Sequence, residues 1–221
     1  MRRAAIAVPV LAVLVALLAL RPGAVAPGAA QEATPAAGEV LDPELCRVEP
    51  RPLAYFEQFL ATPGASPAAP PAGSPAAATA PAAPGEGEPA DAATVAAVTE
   101  TAREVLACLN ARDQRRAAAL FTDAYFERLF ARSGRLPPEE LGAFAATPVP
   151  APPSAWTRFI AVREARVLAD GRVGAVVVTD NPAAPPPGPE AAYLVFAEED
   201  GRWLIDEPIV TLGPAGTPAA G

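Results

Sequence analysis

Residues 61–90 divide this chain. Across thirty positions they hold 12 Ala, 8 Pro, 4 Gly, 2 Ser, 2 Thr and 2 Glu, and no side chain larger than glutamate. Such a stretch has too little apolar mass to offset the entropy of ordering it. It reads as a flexible, partly polyproline linker, which spans about 90 Å when fully extended at about 3.1 Å per residue. Any core must therefore be built from the sequence on either side.

What lies before the linker falls into two parts. Arg2 and Arg3 precede a 17-residue apolar run, Ala4 to Leu20, that Arg21 ends. Small residues follow, with Ala30-Gln31 as the expected cleavage site and Ala26-Pro27 as a second one, disfavoured by its proline. Residues 1–30 therefore read as a secretory signal peptide. The other reading is a retained anchor helix, at the short edge of a membrane span and weakened by Pro9. Both readings put the remainder outside the cytoplasmic membrane, either secreted or anchored there. Membrane contact is expected only if that helix is retained. Residues 31–60 form an N-terminal arm, whose segment 42–60 carries Cys46, Leu53, Tyr55, Phe56, Phe59 and Leu60 and calls for burial.

Charge and residue types remove several function classes. The chain has 17 Arg, no Lys and no His among its 221 residues. Arg in place of every Lys, with the Ala and Pro bias, is the codon signature of a GC-rich bacterial genome. Without residues 1–30, 14 Arg remain against 25 acids, a net charge of −11. Such a chain is repelled by nucleic acid and by anionic lipid. Without His, a Ser-His-Asp triad, a Cys-His dyad and a His general base are all excluded within one chain, and two Cys do not make a zinc site. No glycine-rich loop cradles a phosphate and no alternating acids form a calcium loop, so neither a cofactor nor a metal is expected.

After the linker, residues 91–213 read as one α+β domain, followed by a loose tail over 214–221. Asp91 caps a helix whose stripe is Val95, Val98, Ala102, Val105, Leu106 and Leu109. Asp113 and Thr122-Asp123 cap two more helices, and Pro137-Pro138 opens a short fourth. From residue 155 the period drops to 2. Trp156, Ile160 and Val162 are expected on one side of the first strand, with Phe159, Ala165 and Val167 on the other. Asp170-Gly171 and Asp200-Gly201 are hairpin turns, giving four antiparallel strands near 155–168, 172–180, 190–198 and 202–212. Helices first and a meander second predict helices packed on one face of a curved four-stranded sheet.

The order of Leu109-Asn110-Ala111-Arg112-Asp113, Ala119-Leu120-Phe121-Thr122-Asp123, Asp170-Gly171-Arg172-Val173 and Asp200-Gly201-Arg202-Trp203-Leu204-Ile205-Asp206 resembles the nuclear transport factor 2-like (SnoaL-like, cystatin-like cone) superfamily over about 120 residues. The resemblance implies a cone-shaped hollow between helices and sheet. It does not imply one activity, since the fold hosts isomerases, dehydratases and cyclases as well as ligand-binding and dimerising modules. No catalytic residue carries over, because none of Glu164, Asp180, Glu198, Asp206 and Glu207 matches a family catalytic position.

Two Cys in an exported chain point to a Cys46–Cys108 disulfide that fastens the arm to the first helix. Free or intermolecular thiols are the other reading. Candidate pocket-lining residues are Phe121, Tyr125, Trp156, Tyr193, Trp203 and Glu207. If Trp203 and Ile205 face inward, strict alternation puts Glu207 on their side and turns Asp206 away. Glu207 is then either an acid or base of raised pKa, or a strand-end carboxylate paired with Arg158 or Arg202. The expected function is a non-enzymatic domain that binds a small apolar ligand or pairs with a partner, including a second copy through the sheet. The alternative is a lyase, isomerase or cyclase acting on a hydrophobic small molecule through a carboxylate in the cone.

Overall fold

The computed structural model describes residues 38–60, 84–133, 135–184 and 188–214. The expected signal over 1–30, most of the linker (61–83) and most of the tail (215–221) lie outside the described residues.

Among the described residues, five α-helices and six strands make an α+β fold with a curled antiparallel sheet. The helix signals in the sequence correspond to real caps. The Asp91 carboxylate accepts from the Thr94 amide at 2.7 Å and starts α2, Ala92–Asn110. Asp113 does the same for Arg116 at α3, Gln114–Ala118. The Thr122 hydroxyl accepts from the Tyr125 amide at α4, Asp123–Ser133. Pro137 stands at the N-cap of α5, Pro138–Ala145, and Pro138 opens its first turn. The remaining helix, α1 (Leu53–Glu57), lies in the arm and places Phe56 in the core.

Four long strands follow: β3 (Arg158–Val167), β4 (Val173–Asp180), β5 (Pro189–Glu199) and β6 (Arg202–Pro214). Asp200 and Gly201, both at positive φ, form a two-residue turn from β5 to β6. Gly171 at φ 86° closes a wider turn in which its amide donates to Leu168 O. The sheet holds more than the expected four strands. Two-residue strands β1 (Glu39–Val40) and β2 (Glu88–Pro89) pair with opposite ends of β3. Residues 88–89 fall inside the stretch read as linker, and Pro214 of the expected tail pairs with Glu190. Pro89 is tolerated because β2 is a peripheral pairing. Gly87 (φ 94°) brings the backbone so close to Val167 that a Cβ there would meet its carbonyl oxygen at 2.3 Å.

Bulges break strict alternation, and several side assignments change with them. In β3, register shifts fall between Phe159 and Ala161 and between Arg163 and Arg166. Val162 and Ala165 therefore join Phe159 against the main core, while Ile160 packs on the opposite face. In β6 three shifts add residues relative to β5; one falls at Asp206, between the pairs Phe196↔Ile205 and Val195↔Glu207.

Both faces of the sheet are buried. The main cluster joins Val173, Ala175, Val177, Leu194, Phe196 and Ile205 to α2 and to the rings of Phe56, Phe121, Phe126, Phe130 and Phe144. The second joins Leu168, Val176, Val178, Ala191, Tyr193 and Val195. That explains why β4 reads as an unbroken apolar run, the pattern of a strand covered on both sides.

The arm is part of this core. Cys46 and Cys108 are bonded, with their Cα atoms 4.7 Å apart. Cys108, on the flank of the α2 stripe, is fully buried beneath the arm. The buried Asn110 amide donates to Leu41 O at 2.9 Å and its oxygen accepts from the Thr157 amide at 2.9 Å. One side chain thus ties arm, helix and β3 together.

Candidate functional site

The six residues expected to line a pocket do not come together. Phe121, Tyr125 and Trp203 pack within or against the main cluster, with the Phe121 and Tyr125 rings 4.7 Å apart. Burial pushes the Tyr125 hydroxyl above its ordinary value. Tyr193 belongs to the opposite face. The Trp156 indole N–H donates to Ala151 O at 2.7 Å, outside both clusters. Glu207 is half-buried, 3.8 Å from an Arg172 nitrogen. Neither Arg proposed for Glu207 serves it: Arg158 faces Asp180 at 3.7 Å, and Arg202 pairs with Glu104.

The buried carboxylate is Asp206, which strict alternation turns outward. The bulge in β6 turns it inward instead, and it is 5 % exposed. One oxygen accepts from the Thr122 hydroxyl at 2.7 Å and from Arg128 at 2.9 Å. The other accepts from Arg172 at 2.8 Å. Arg172, from the turn after β3, also holds Asp170 at 2.8 Å. Burial pushes the Asp206 carboxyl up, but the hydrogen bonds from Thr122, Arg128 and Arg172 and the charge of Arg128 outweigh it. The net shift is below the ordinary carboxylate range. A group so held is ionised, with three fixed donors on its two oxygens. It suits neither a general acid, which needs a raised pKa, nor a general base, which needs more basicity than a depressed carboxyl has. Thr122 was legible only as a helix cap; its second role depends on the bulge, for which the sequence carries no signal.

A second feature lies on the outer surface. Gln58 and Phe59 after α1, Glu127, Phe130 and Ala131 of α4, and Arg135 line a cleft of ≈ 280 Å³. The Phe59 and Phe130 rings, 4.7 Å apart, give it an apolar floor. Arg135 holds φ 78° as its amide closes α4 onto Phe130 O, and the Leu136 amide then donates to Phe59 O at 2.8 Å. No group of three or more His, Cys, Asp or Glu among the described residues could hold a metal ion. No helix among them is long and apolar enough to cross a membrane. Compared with protein-family models, with curated proteins and with solved structures, the chain finds no match in any of the three.

Proposed function

We propose that this chain is an exported, non-enzymatic binding domain of the nuclear transport factor 2-like kind, acting through its outer surface. The order of helices before a curled antiparallel sheet supports the cone reading. The buried disulfide is compatible with an oxidising, extracytoplasmic location. The observation that carries the binding reading is the state of the concave side. Where an enzyme of this shape needs a hollow with a reactive carboxyl, the main cluster among the described residues joins the sheet to the rings of Phe56, Phe121, Phe126 and Phe144. The one deeply buried carboxylate among the described residues, Asp206, is taken up by Thr122, Arg128 and Arg172. On the second face of the sheet Tyr193 and Val195 are at most 1 % exposed. The Phe59–Phe130 cleft is the place for a small apolar ligand.

The test is a carbon-13 titration of the Asp206 side-chain carboxyl. A midpoint below the usual carboxylate range, with no shift of Phe121 or Ile205 resonances under xenon pressure, is expected. A midpoint near neutrality, or xenon entering beside Ile205, would instead favour a lyase, isomerase or cyclase.

A further inference from the structure

Between α5 and β3 the chain reads Ala146-Thr-Pro-Val-Pro-Ala-Pro-Pro153. Its backbone is dictated almost residue by residue. Proline fixes φ near −65° at 148, 150, 152 and 153, and each residue that precedes a proline is driven to extended ψ. The observed angles agree: Ala146 has φ −66°, ψ 143° and Pro152 has φ −62°, ψ 145°. These are polyproline II values. Such a helix has three residues per turn and three edges.

The three edges meet different surroundings. Val149 and Pro152 form one edge, Pro150 and Pro153 a second, and all four are exposed; Pro153 ends the extended run by opening a short 3-10 turn, Pro153–Ala155. The third edge carries the exposed Pro148 and Ala151, which is half-buried and anchored. Its amide donates to Asn110 O at 2.9 Å, and its carbonyl accepts from the Trp156 indole. Asn110 is itself 2 % exposed and locked to Leu41 and Thr157. On the other side, α5 is held by Phe144, whose ring stacks on Phe56 at 4.0 Å. Val149, at 68 %, is the most exposed large hydrophobic side chain among the described residues. No charged residue occurs from Leu141 to Thr157.

An apolar valine held outward on a stiff ridge, beside prolines spaced x-Pro-x-x-Pro, has the chemistry that aromatic-lined grooves recognise. The conformational entropy of the ligand is already lost before contact, which favours binding. We propose that Ala146–Pro153 is a docking ridge for a protein domain with an uncharged, aromatic-lined groove of the SH3 or WW kind. The Val149-Pro150 and Pro152-Pro153 pairs enter the groove, and Ala151 stays on the body of the domain. This goes beyond the reading above, since the ridge shares no residue with the Phe59–Phe130 cleft and takes a protein partner.

The full chain carries the same spacing at Pro67-Ala-Ala-Pro70, Pro81-Ala-Ala-Pro84, Pro182-Ala-Ala-Pro185 and Pro186-Pro-Gly-Pro189, so the test must separate the ridge from these regions. Isotope-labelled chain is titrated with one soluble SH3 domain and one WW domain of known proline-ligand preference. The expected result is a shift of the Val149 and Ala151 amides with at least one of them. Val149→Asp and Pro150→Ala weaken that binding about tenfold or more without changing Tm, because both side chains are exposed. Replacing Pro67, Pro70, Pro81 and Pro84 by Ala, or Pro182, Pro185 and Pro186 by Ala, leaves it within about twofold. The proposal is overturned if neither domain shifts the ridge, if the ridge variants bind as well as the parent, or if only the variants outside the ridge lose binding. The Asp206 titration is unaffected by these substitutions, so the docking ridge and the non-enzymatic reading fail separately.

Discussion

The Tyr193 hydroxyl occupies the space that a β-carbon on residue 174 would need. An ideal Cβ built on Gly174 meets it at 1.8 Å and meets the ring carbon that bears it at 2.6 Å. The tyrosine lies diagonally across the β4–β5 ladder, where Gly174 pairs with Val195 and Val176 with Tyr193. Its ring covers the bare backbone of the glycine, and its hydroxyl is buried with no hydrogen-bond partner among the described residues.

Gly174→Ala is therefore expected to destabilise the fold through overpacking, by about 1–3 kcal/mol. Gly174 has no positive φ, so backbone strain is not the cause. The discriminating measurement is a double-mutant cycle in urea. Gly174→Ala combined with Tyr193→Val should cost less than the sum of the two single changes, since the second removes the atoms that the first collides with. Additive costs would place the effect elsewhere.

Local signals carried most of the helical half. Asp91, Asp113 and Thr122 are caps because a short polar side chain can reach an amide three residues on, and nothing distant is required. The two Asp-Gly turns are local in the same way. What the sequence hides depends on distant partners. Strands β1 and β2 have no pattern of their own and exist because β3 offers them an edge. The bulge at Asp206 reverses the face that period-2 reasoning assigns to it, and so moves the buried carboxylate from Glu207 to its neighbour. Residue type alone groups Trp156 and Tyr193 with Phe121, and only the three-dimensional path separates them.

The disulfide makes a direct prediction. Cys46 and Cys108 are 62 residues apart, so their bond closes a long loop in the unfolded chain. In the chain-entropy account this contributes about 4 kcal/mol. Cys46→Ser with Cys108→Ser should lower stability by an amount of that order. The same loss should appear when the parent protein is unfolded in urea with a reductant present. Both sulfurs belong to buried residues, so native protein without denaturant should resist mild reductants. Rapid alkylation of both cysteines in native, non-reduced protein would contradict the bond.

Acid should weaken the fold through Asp206. Its folded pKa is depressed, because its hydrogen bonds to Thr122, Arg128 and Arg172 outweigh the upward push of burial. A depressed carboxyl contributes stability that is fully present above its unfolded value of about 3.9 and is lost as pH falls through the folded value. Asp170 adds to the same trend, chiefly through its hydrogen bond with Arg172, but it is more exposed and contributes less. Tm should therefore decline below about pH 4. Asp206→Asn should flatten that decline while lowering stability at neutral pH. Removing one partner of a buried pair costs about 3–5 kcal/mol, and partial exposure of Arg128 and Arg172 places this case at or below the lower end. An unchanged acid limb in the variant would remove Asp206 from the account.

Arg51 fixes the arm at the point where the disulfide leaves off. Its guanidinium donates to Ala118 O at 2.9 Å, Phe121 O at 2.5 Å and Asp123 at 2.5 Å. It thus reaches the last carbonyl of α3, which also accepts from the Phe121 amide at 3.2 Å, and the Phe121 carbonyl that precedes α4. The same group lies 4.3 Å from the Tyr55 ring centroid and 5.3 Å from that of Phe126. Arg115 completes the clasp by donating to Arg51 O at 2.7 Å. A lysine cannot reproduce the fork that reaches three acceptors, nor the flat stacking on two rings. Arg51→Lys should therefore recover little of the stability lost in Arg51→Ala, which is expected to be about 2–3 kcal/mol from charge-assisted hydrogen bonds alone. Because Cys46–Cys108 still holds the arm five residues away, the variant should not release it completely. Hydrogen exchange should rise over 51–60, including the Tyr55 amide that opens α1 and the Phe59 amide that closes it, while the α2 amides near Cys108 stay protected. Equal acceleration over both regions would mean that arm and domain unfold as one unit and that Arg51 supports the whole fold, not the arm alone.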